Sequence, residues 1–260
     1  MKKINKEKVF WWSPKNRFRI PFYQKENVGD FLGPQLVEKI LFEKNIDINV
    51  SERRVLTVGS IMHYSRPGDV IWGTGINGKM PMSLLSFSGL DIRAVRGPMT
   101  RDVLLGLGEQ VPSVYGDPGI LTSIFWPRCK SPIKGRIVYI PHMREKVTKS
   151  VKKSFKVVSP LLDLKTFLDE IQLAEKVVTT SLHGFILSET YGVPVSLLMN
   201  DTGETVFKYE DYYQGTGRQG IPIYESLDEA MEYQNQYFDF SVMQEQLLNS
   251  FPYEVWIGKK

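Results

Sequence analysis

The sequence predicts an α/β protein built from two parallel-sheet domains that face each other across a cleft. Short apolar runs rich in β-branched residues alternate with amphipathic stretches along most of the chain, a pattern typical of parallel sheets covered by helices. One polar stretch with two prolines, Pro127 to Gly135, interrupts the alternation. Because the alternation restarts after it, we expect one Rossmann-like sheet on each side.

This predicted linker sets the domain limits. An N-terminal domain would cover residues 1–128, a C-terminal domain residues 135–240, and the final helix and tail, residues 241–260, are a candidate to pack back on the first domain. A chain of 260 residues that is 42% hydrophobic has enough apolar material for two cores.

Composition narrows the classes of function. Cys129 is the single cysteine, so no internal disulfide can form, and with three histidines a zinc site is disfavoured. We therefore expect no metal and no cofactor. The net charge of +4 does not indicate nucleic-acid binding.

Basic residues are concentrated at the N-terminus. They are Lys2, Lys3, Lys6, Lys8, Lys15, Arg17 and Arg19. Such a run is usually a solvated face, and its alternative is a contact with anionic lipid. The apolar run after the first lysines, Val9 to Trp12, is too short for a signal peptide, and no stretch is long enough to span a membrane. We expect a cytoplasmic protein, with the inner face of the membrane as a candidate location.

The strongest candidate site follows the β-branched strand Val177 to Thr180. The turn Ser181 to Gly184 separates this strand from a short helix, Phe185 to Tyr191. Free N–H groups at a helix N-terminus favour an anion, and His183 adds a proton that can move near neutral pH. The alternative is a histidine that caps the helix or bonds across a domain interface.

Asp30 precedes the first predicted helix, Gly33 to Phe42, and follows Asn27 and Gly29 in a loop. A carboxylate there can project from the loop as a base or cap the helix. The sequence leaves both roles open.

A glycine-rich turn follows the strand Asp69 to Trp72. Its residues Gly73, Thr74, Gly75 and Asn77 are predicted to line a ligand, because glycine lets the backbone approach closely. The helix required by a dinucleotide-binding fingerprint does not follow, so we exclude that cofactor.

Four further candidates come from other strand ends and loops. Arg96 precedes a helix that begins at Pro98, and its guanidinium suits a carboxylate or phosphate. Asp117 is predicted first as a turn former and second as a site residue. His142 follows the strand Arg136 to Ile140, and Lys208 lies in a predicted loop at the rim of the cleft. Since ligands bind at the carboxyl ends of parallel strands, these positions should share one edge.

Seven motifs, in this order, resemble the polysaccharide pyruvyl transferase family. They are NVGD at 27–30, GTG at 73–75, AVRGPMT at 94–100, GDPGIL at 116–121, IPH at 140–142, SLHGFILSETYGVP at 181–194 and FKYEDY at 207–212. The resemblance spans roughly residues 10–230.

The resemblance implies a fold similar to two-domain GT-B glycosyltransferases and transfer of pyruvate from phosphoenolpyruvate to two hydroxyls of a polysaccharide sugar, or of its lipid-linked precursor, as a ketal. It implies that His183 matches the family's histidine that meets the donor. For a reaction of this kind we assign His183 as the acid and Asp30 as the base. Family members often carry arginine immediately before the Leu-His pair, where this chain has Ser181. The donor anions would then be met by Arg96, His142, Lys208 and the helix N-terminus at Ser181 and Gly184.

Two other functions remain open from the sequence. One is a GT-B glycosyltransferase that uses a nucleotide sugar. The other is a catalytically silent sugar-binding subunit, which the grouping of acid, base and cations at strand ends disfavours.

Overall fold

The structure is a computed structural model and describes residues 7–13, 26–47, 53–199, 202–233 and 237–257. Its strands are β1 (Val9–Phe10), β2 (Val55–Leu56), β3 (Val70–Trp72), β4 (Asp91–Ala94), β5 (Ile137–Ile140), β6 (Lys156–Val157), β7 (Lys176–Thr179), β8 (Val195–Leu198) and β9 (Ile223–Tyr224). Its helices are α1 (Val28–Glu43), α2 (Pro98–Gly106), α3 (Thr122–Phe125), α4 (Lys149–Ser154), α5 (Leu164–Gln172), α6 (Leu182–Thr190), α7 (Phe207–Gly215), α8 (Leu227–Glu232) and α9 (Ser241–Asn249).

Two parallel sheets organise the described residues. The first has the strand order β1-β2-β3-β4, and the second has the order β6-β5-β7-β8-β9. Each neighbouring pair of strands is parallel. The central strands β2 and β3 are completely buried, as expected for strands covered on both faces. The prediction of an α/β protein with parallel sheets is therefore confirmed.

Two helices begin earlier than their sequence patterns predict. The first helix starts at Val28 rather than Gly33, so Pro34 lies inside it and Asn27 is its cap. Glycines near its start suggest a loop, but they serve close packing: a Cβ atom on Gly33 would lie 2.6 Å from Cγ2 of Thr57. Helix α6 likewise starts at Leu182, so His183 belongs to its first turn.

The segment that begins at Phe207 is a helix, α7, and the prediction of a rim loop is wrong. The buried face of α7 includes two charged residues, Lys208 and Asp211, beside Tyr209 and Tyr212. Because charged residues occupy buried positions, the usual apolar period of a helix is absent from the sequence.

The apolar core is continuous between the two sheets. A short 3-10 helix, Pro118–Leu121, packs against both α1 and α6, and we call it the bridging turn. A Cβ atom on Gly119 would lie 3.4 Å from Ile186 of α6 and 3.6 Å from Leu32 of α1. The bridging turn thus packs both halves into one core. The domain limits and the GT-B arrangement stay predictions.

Helix α9 lies against the first sheet. The indole N–H of Trp72, in β3, donates a hydrogen bond to the carbonyl of Leu247 at 3.0 Å. The helices formed by the described residues include none with the length and apolar character needed to span a membrane. Most of the basic N-terminal residues predicted to contact lipid lie outside the described residues.

Candidate active site

A pocket of about 240 Å³ opens at the carboxyl ends of strands from both sheets. Its lining residues follow β1, β2 and β3 in the first sheet and β5, β7 and β8 in the second. They are Trp12, Asn27, Asp30, Ser60, Ile61, His63, Tyr64, Asn77, Lys79, His142, Met143, Arg144, Ser181, Leu182, His183, Glu204 and Lys208. A cavity therefore lies at the strand ends where the sequence predicted a ligand.

Two helix N-termini meet at this pocket. Asn27 caps α1, and its Oδ1 accepts a hydrogen bond from the N–H of Gly29 at 2.9 Å. Ser181 caps α6, and its Oγ accepts from the N–H of Gly184 at 3.4 Å. The positive ends of both helix dipoles lie at the pocket and favour an anionic ligand.

His183 packs against the first turn of α1. A Cβ atom on Gly29 would lie only 2.1 Å from Nδ1 of His183, so the imidazole occupies the space that a side chain would take. On the other side of the ring, Nε2 lies 3.6 Å from Oδ2 of Asp117. The ring therefore lies between the first turn of α1 and the carboxylate of Asp117, both from the first half of the chain.

Asp30 lies beside His183. The missing side chain of Gly59, a residue with φ of +101°, leaves space for both: a Cβ atom there would lie 3.5 Å from Oδ1 of Asp30 and 3.9 Å from Cε1 of His183. Burial raises the pKa of the Asp30 carboxyl to about 6, although the nearby His183 and Lys208 lower it. A carboxyl group with this pKa can exchange protons near neutral pH.

A cluster of charges forms the opposite wall. The ammonium group of Lys208 lies 2.7 Å from Oε2 of Glu204, and Lys79 from the first half pairs with Oε1 of the same carboxylate. Nε2 of His142 lies 3.4 Å from that oxygen. Burial raises the pKa of Glu204, but the two lysines and His142 together outweigh it and bring the pKa to about 2. Glu204 is therefore an anion held among three nitrogen donors.

His142 is held in position by its neighbours. Its backbone N–H donates to Oγ1 of Thr180 at 2.7 Å, and its Nδ1 accepts from the N–H of Arg144 at 3.4 Å. Burial lowers the pKa of His142 to about 4, and Lys208 acts in the same direction. The ring is thus neutral at pH 7, with Nε2–H available to donate toward Glu204 or a bound anion.

Arg96 does not reach the pocket, which corrects the prediction that it binds the donor. Its side chain is 0% exposed, and Nε donates to Oδ2 of Asp211 at 3.0 Å. Its Nη1 donates to Oγ of Ser60 at 2.6 Å. The buried carboxylate of Asp211 neutralises the guanidinium, so Arg96 supports the pocket wall from behind.

The glycine-rich turn does not line the pocket either, except at Asn77. The side chain of Thr74 is buried and donates to the carbonyl of Gly59 at 2.7 Å. A Cβ atom on Gly73 would lie 2.3 Å from Pro118, and one on Gly75 would lie 2.5 Å from Arg96. These residues serve close packing between layers and not the approach of a ligand.

Two other predicted residues lie behind the pocket surface. A Cβ atom on Gly184 would lie 2.4 Å from Oγ1 of Thr179, so this glycine allows α6 to pack on β7. Asp117 is fully buried and caps the bridging turn, where its Oδ1 accepts from the N–H of Gly119 at 2.8 Å. The prediction of Asp117 as a turn former therefore describes its first role.

Sequence reasoning missed several pocket residues. Glu204 and Lys79 lie in loops that carry no motif, and their proximity depends on contact between the two halves. His63, predicted to be structural, is exposed and lines the pocket beside Tyr64, with ring centroids 4.0 Å apart. Ser60 lies four positions after the end of β2, and that place near a strand end was the available signal for it.

Fold and site together define an α/β protein of parallel sheets whose pocket is lined by histidines, lysines and carboxylates. The sequence profile of the family described as "Polysaccharide pyruvyl transferase" matches residues 27–202, and the chain belongs to this family. It is thus an enzyme of the pyruvyl transferase type. The chain is also similar to uncharacterized protein L143 of Acanthamoeba polyphaga mimivirus. The two are 28% identical over an alignment of 212 residues, and the match covers 74% of this chain and 71% of the viral protein.

Proposed function

We propose that the enzyme transfers pyruvate from phosphoenolpyruvate to two neighbouring hydroxyls of a polysaccharide sugar, or of its lipid-linked precursor, and forms a cyclic ketal. The observation that carries this proposal is that one pocket joins His183 and Asp30 to the cations Lys79 and Lys208. Phosphoenolpyruvate carries a carboxylate and a phosphate on an enol carbon. Such a donor needs cations for both anions and a proton source near the enol.

The donor anions have two sets of partners in the pocket. Lys208, Lys79 and His142 now surround the Glu204 carboxylate, and a donor carboxylate or phosphate would compete for the same ammonium groups. The N-termini of α1 and α6 supply the second set, with free N–H groups near Asn27 and Ser181. This arrangement provides the charge that an arginine at position 181 would otherwise give.

The position of His183 beside Asp30 supports one assignment of acid and base. Protonated His183 gives its proton to the methylene carbon of the enol, and the first sugar hydroxyl adds to the resulting electrophilic carbon while Asp30 takes the hydroxyl proton. The carbon–oxygen bond to phosphate then breaks, and phosphate leaves with the proton from Asp30. The second hydroxyl closes the ketal and returns its proton to His183. Acid–base assistance of this kind contributes roughly 10²–10⁴-fold.

The acceptor has a candidate entrance beside the pocket. A second cavity of about 360 Å³ shares His63, Asn77 and Lys79 with the first and is otherwise lined mainly by apolar residues, including Leu85 and Phe87. Sugar rings present apolar C–H faces as well as hydroxyls, so a mixed wall of this kind suits them. The shared residues would bring the acceptor hydroxyls next to the donor.

The cellular setting is part of the same proposal. We place the reaction in the cytoplasm, at the inner face of the membrane, where a lipid-linked acceptor would be presented. Arg144 lines the pocket, and the exposed residues Lys149, Lys152 and Lys153 of α4 follow it in the chain. Such a surface is attracted to anionic lipid.

The first experiment compares ligands by thermal unfolding. Phosphoenolpyruvate should raise the melting temperature of the wild type, because a ligand that binds only the folded state adds about 2.7 kcal/mol at a hundred times its dissociation constant. Uridine diphosphate should give no such shift. Stabilisation by the nucleotide instead would indicate a sugar transferase.

The second experiment measures chemistry. Phosphoenolpyruvate is mixed with a panel of methyl glycosides that carry neighbouring hydroxyl pairs, and both phosphate release and the acceptor mass are followed. His183→Ala should lose turnover at saturating donor, whereas Lys165→Ala, at an exposed position of α5 that lines neither cavity, should keep it. Full turnover by His183→Ala would contradict the assignment of the acid.

A further inference from the structure

Two buried polar atoms face each other between the halves of the chain. Nε2 of His183 and Oδ2 of Asp117 lie 3.6 Å apart, and each is inaccessible to solvent without a hydrogen-bond partner among the described residues. Buried polar groups are normally bonded, and leaving one unpaired costs about 1–3 kcal/mol. At 3.6 Å, a small movement of the ring would bring each atom within hydrogen-bond distance of the other.

The direction of the Asp117 carboxylate is fixed by its surroundings. Its Oδ1 accepts the N–H of Gly119, so the other oxygen must point away from the bridging turn. Pro118 packs tightly on Gly73, and the bridging turn is held between α1 and α6. The carboxylate therefore cannot rotate away from His183 without losing its cap.

We propose that Asp117 is a positioning residue for His183. The carboxylate of Asp117 accepts a hydrogen bond from Nε2–H of His183, and Nδ1 is then the nitrogen that exchanges protons with the substrate. This inference rests on the proposed acid role of His183. Asp117 itself touches no substrate, because it is fully buried behind the ring.

The present separation is slightly longer than a hydrogen bond, and catalytic hydrogen bonds often tighten only when substrate binds. As the acid, His183 carries protons on both ring nitrogens, and the carboxylate of Asp117 accepts the one on Nε2. The proton on Nδ1 then passes to the enol carbon, and the neutral ring keeps Nε2–H toward Asp117. The carboxylate remains ionised throughout.

The decisive variant is Asp117→Asn. Because the cap needs only Oδ1, asparagine keeps the bond from Gly119 and places an NH₂ group, a donor, opposite Nε2. His183 must then present Nε2 as an acceptor and carry its proton on Nδ1. With the acid and the tautomer disturbed, kcat should fall roughly 10²–10⁴-fold while the donor dissociation constant changes less than about twofold.

Asp163→Asn is the matched control. Asp163 caps α5 in the same way, with Oδ1 accepting from the N–H of Thr166 at 2.9 Å, and lies far from any histidine in sequence. It should leave both kcat and the histidine signals unchanged.

Nitrogen-15 NMR of the imidazole rings shows which ring nitrogen carries the proton, and it does not depend on enzyme activity. The chain has three histidines, so each signal can be assigned by replacing one at a time. We expect His183 as Nε2–H in the wild type and as Nδ1–H in Asp117→Asn. A wild-type His183 protonated on Nδ1 alone, or an Asn variant with an unchanged tautomer and unchanged kcat, would overturn the proposal.

The two proposals fail separately. If the tautomer changes as expected but phosphoenolpyruvate neither binds nor reacts, the pairing stands and the proposed reaction falls. If the wild type transfers pyruvate but His183 shows no dependence on residue 117, the reaction stands and the pairing falls. Should the Asn variant not fold, the wild-type tautomer alone decides.

Discussion

Arg96 and Asp211 form an ion pair, Nη2 to Oδ2 at 2.9 Å, in which both side chains are completely shielded from solvent. The same carboxylate accepts hydrogen bonds from the N–H and the hydroxyl of Thr100. One aspartate of α7 therefore completes the start of α2. The start of α2 and the backbone of α7 are in close contact, since a Cβ atom on Gly97 would lie 1.7 Å from the carbonyl oxygen of Asp211.

The first prediction concerns this pair. Arg96→Met removes one charge and leaves the other buried, so it should lower the free energy of unfolding by about 3–5 kcal/mol. The double variant Arg96→Met with Asp211→Leu should recover part of the loss. Urea unfolding measures both, and Lys165→Met, which breaks a solvent-exposed pair with Asp169, should leave the midpoint in place. An Arg96→Met variant as stable as the wild type would show that the pair is dispensable.

The second prediction tests the fit of His183 against Gly29. Gly29→Ala places a methyl group on Nδ1 of His183 and must displace the ring, and a shift of about 1 Å can cost about a hundredfold in rate. The methyl group would also lie 2.5 Å from Cγ and 2.9 Å from Cβ of His183, so the melting temperature should fall as well, and kcat is measured at a temperature where the variant is folded. Gly106→Ala, in α2 with open space around it, is the control and should keep full kcat. Equal activity of the two variants would place His183 outside the chemistry.

The third prediction addresses Glu204 as a competing anion. Glu204→Gln removes the charge that now neutralises Lys79 and Lys208, so phosphoenolpyruvate should bind about tenfold more tightly, equivalent to 1.4 kcal/mol. Calorimetric titration at two salt concentrations measures the change, which high salt should reduce. Glu225→Gln, at an exposed position, should have no effect. Weaker binding in the Glu204 variant would mean that Glu204 assists the donor.

The fourth prediction follows from the raised pKa of Asp30. Since burial raises this pKa from 3.8 to about 6, the folded state holds the proton more tightly than the unfolded chain. The stabilising contribution is complete below pH 3.8 and is lost as the pH rises through about 6. At pH 7, ionised Asp30 therefore lowers the free energy of unfolding by up to about 3 kcal/mol.

Asp30→Asn should accordingly be more stable than the wild type, although it loses activity. Urea unfolding should show that the difference in free energy of unfolding between the variant and the wild type widens from pH 5 and levels off above pH 7. Asp163→Asn should give no gain, because the hydrogen bond from Thr166 lowers the pKa of Asp163. A gap that shrinks as the pH rises would contradict the raised pKa.

The sequence predicted the place of the pocket because ligands bind at the carboxyl ends of parallel strands. Carboxyl ends of parallel strands share an edge, so Asp30, Asn77, His142, Ser181 and His183 could be brought together from strand positions only. The rule does not say which way a side chain points.

Two kinds of error follow from that limit. Arg96 sits at a strand end but turns inward, because Asp211, which is far away in sequence, neutralises it inside the core. Glu204 and Lys79 reach the pocket from loops, and no local pattern reports a contact across 125 residues. Sequence therefore indicated where the site lies better than which charges balance it.

The proposed chemistry is divided between the two halves of the chain, with Asp30, Lys79 and Asp117 before residues 127–135 and His142, His183 and Lys208 after them. A crossover between two related genes at that stretch would pair halves with different histories. Such a hybrid could keep every strand and still misalign Asp117 with His183 or Lys79 with Glu204. A substitution in one half that moves Asp117 or Lys79 therefore also acts on His183 or Glu204 in the other half.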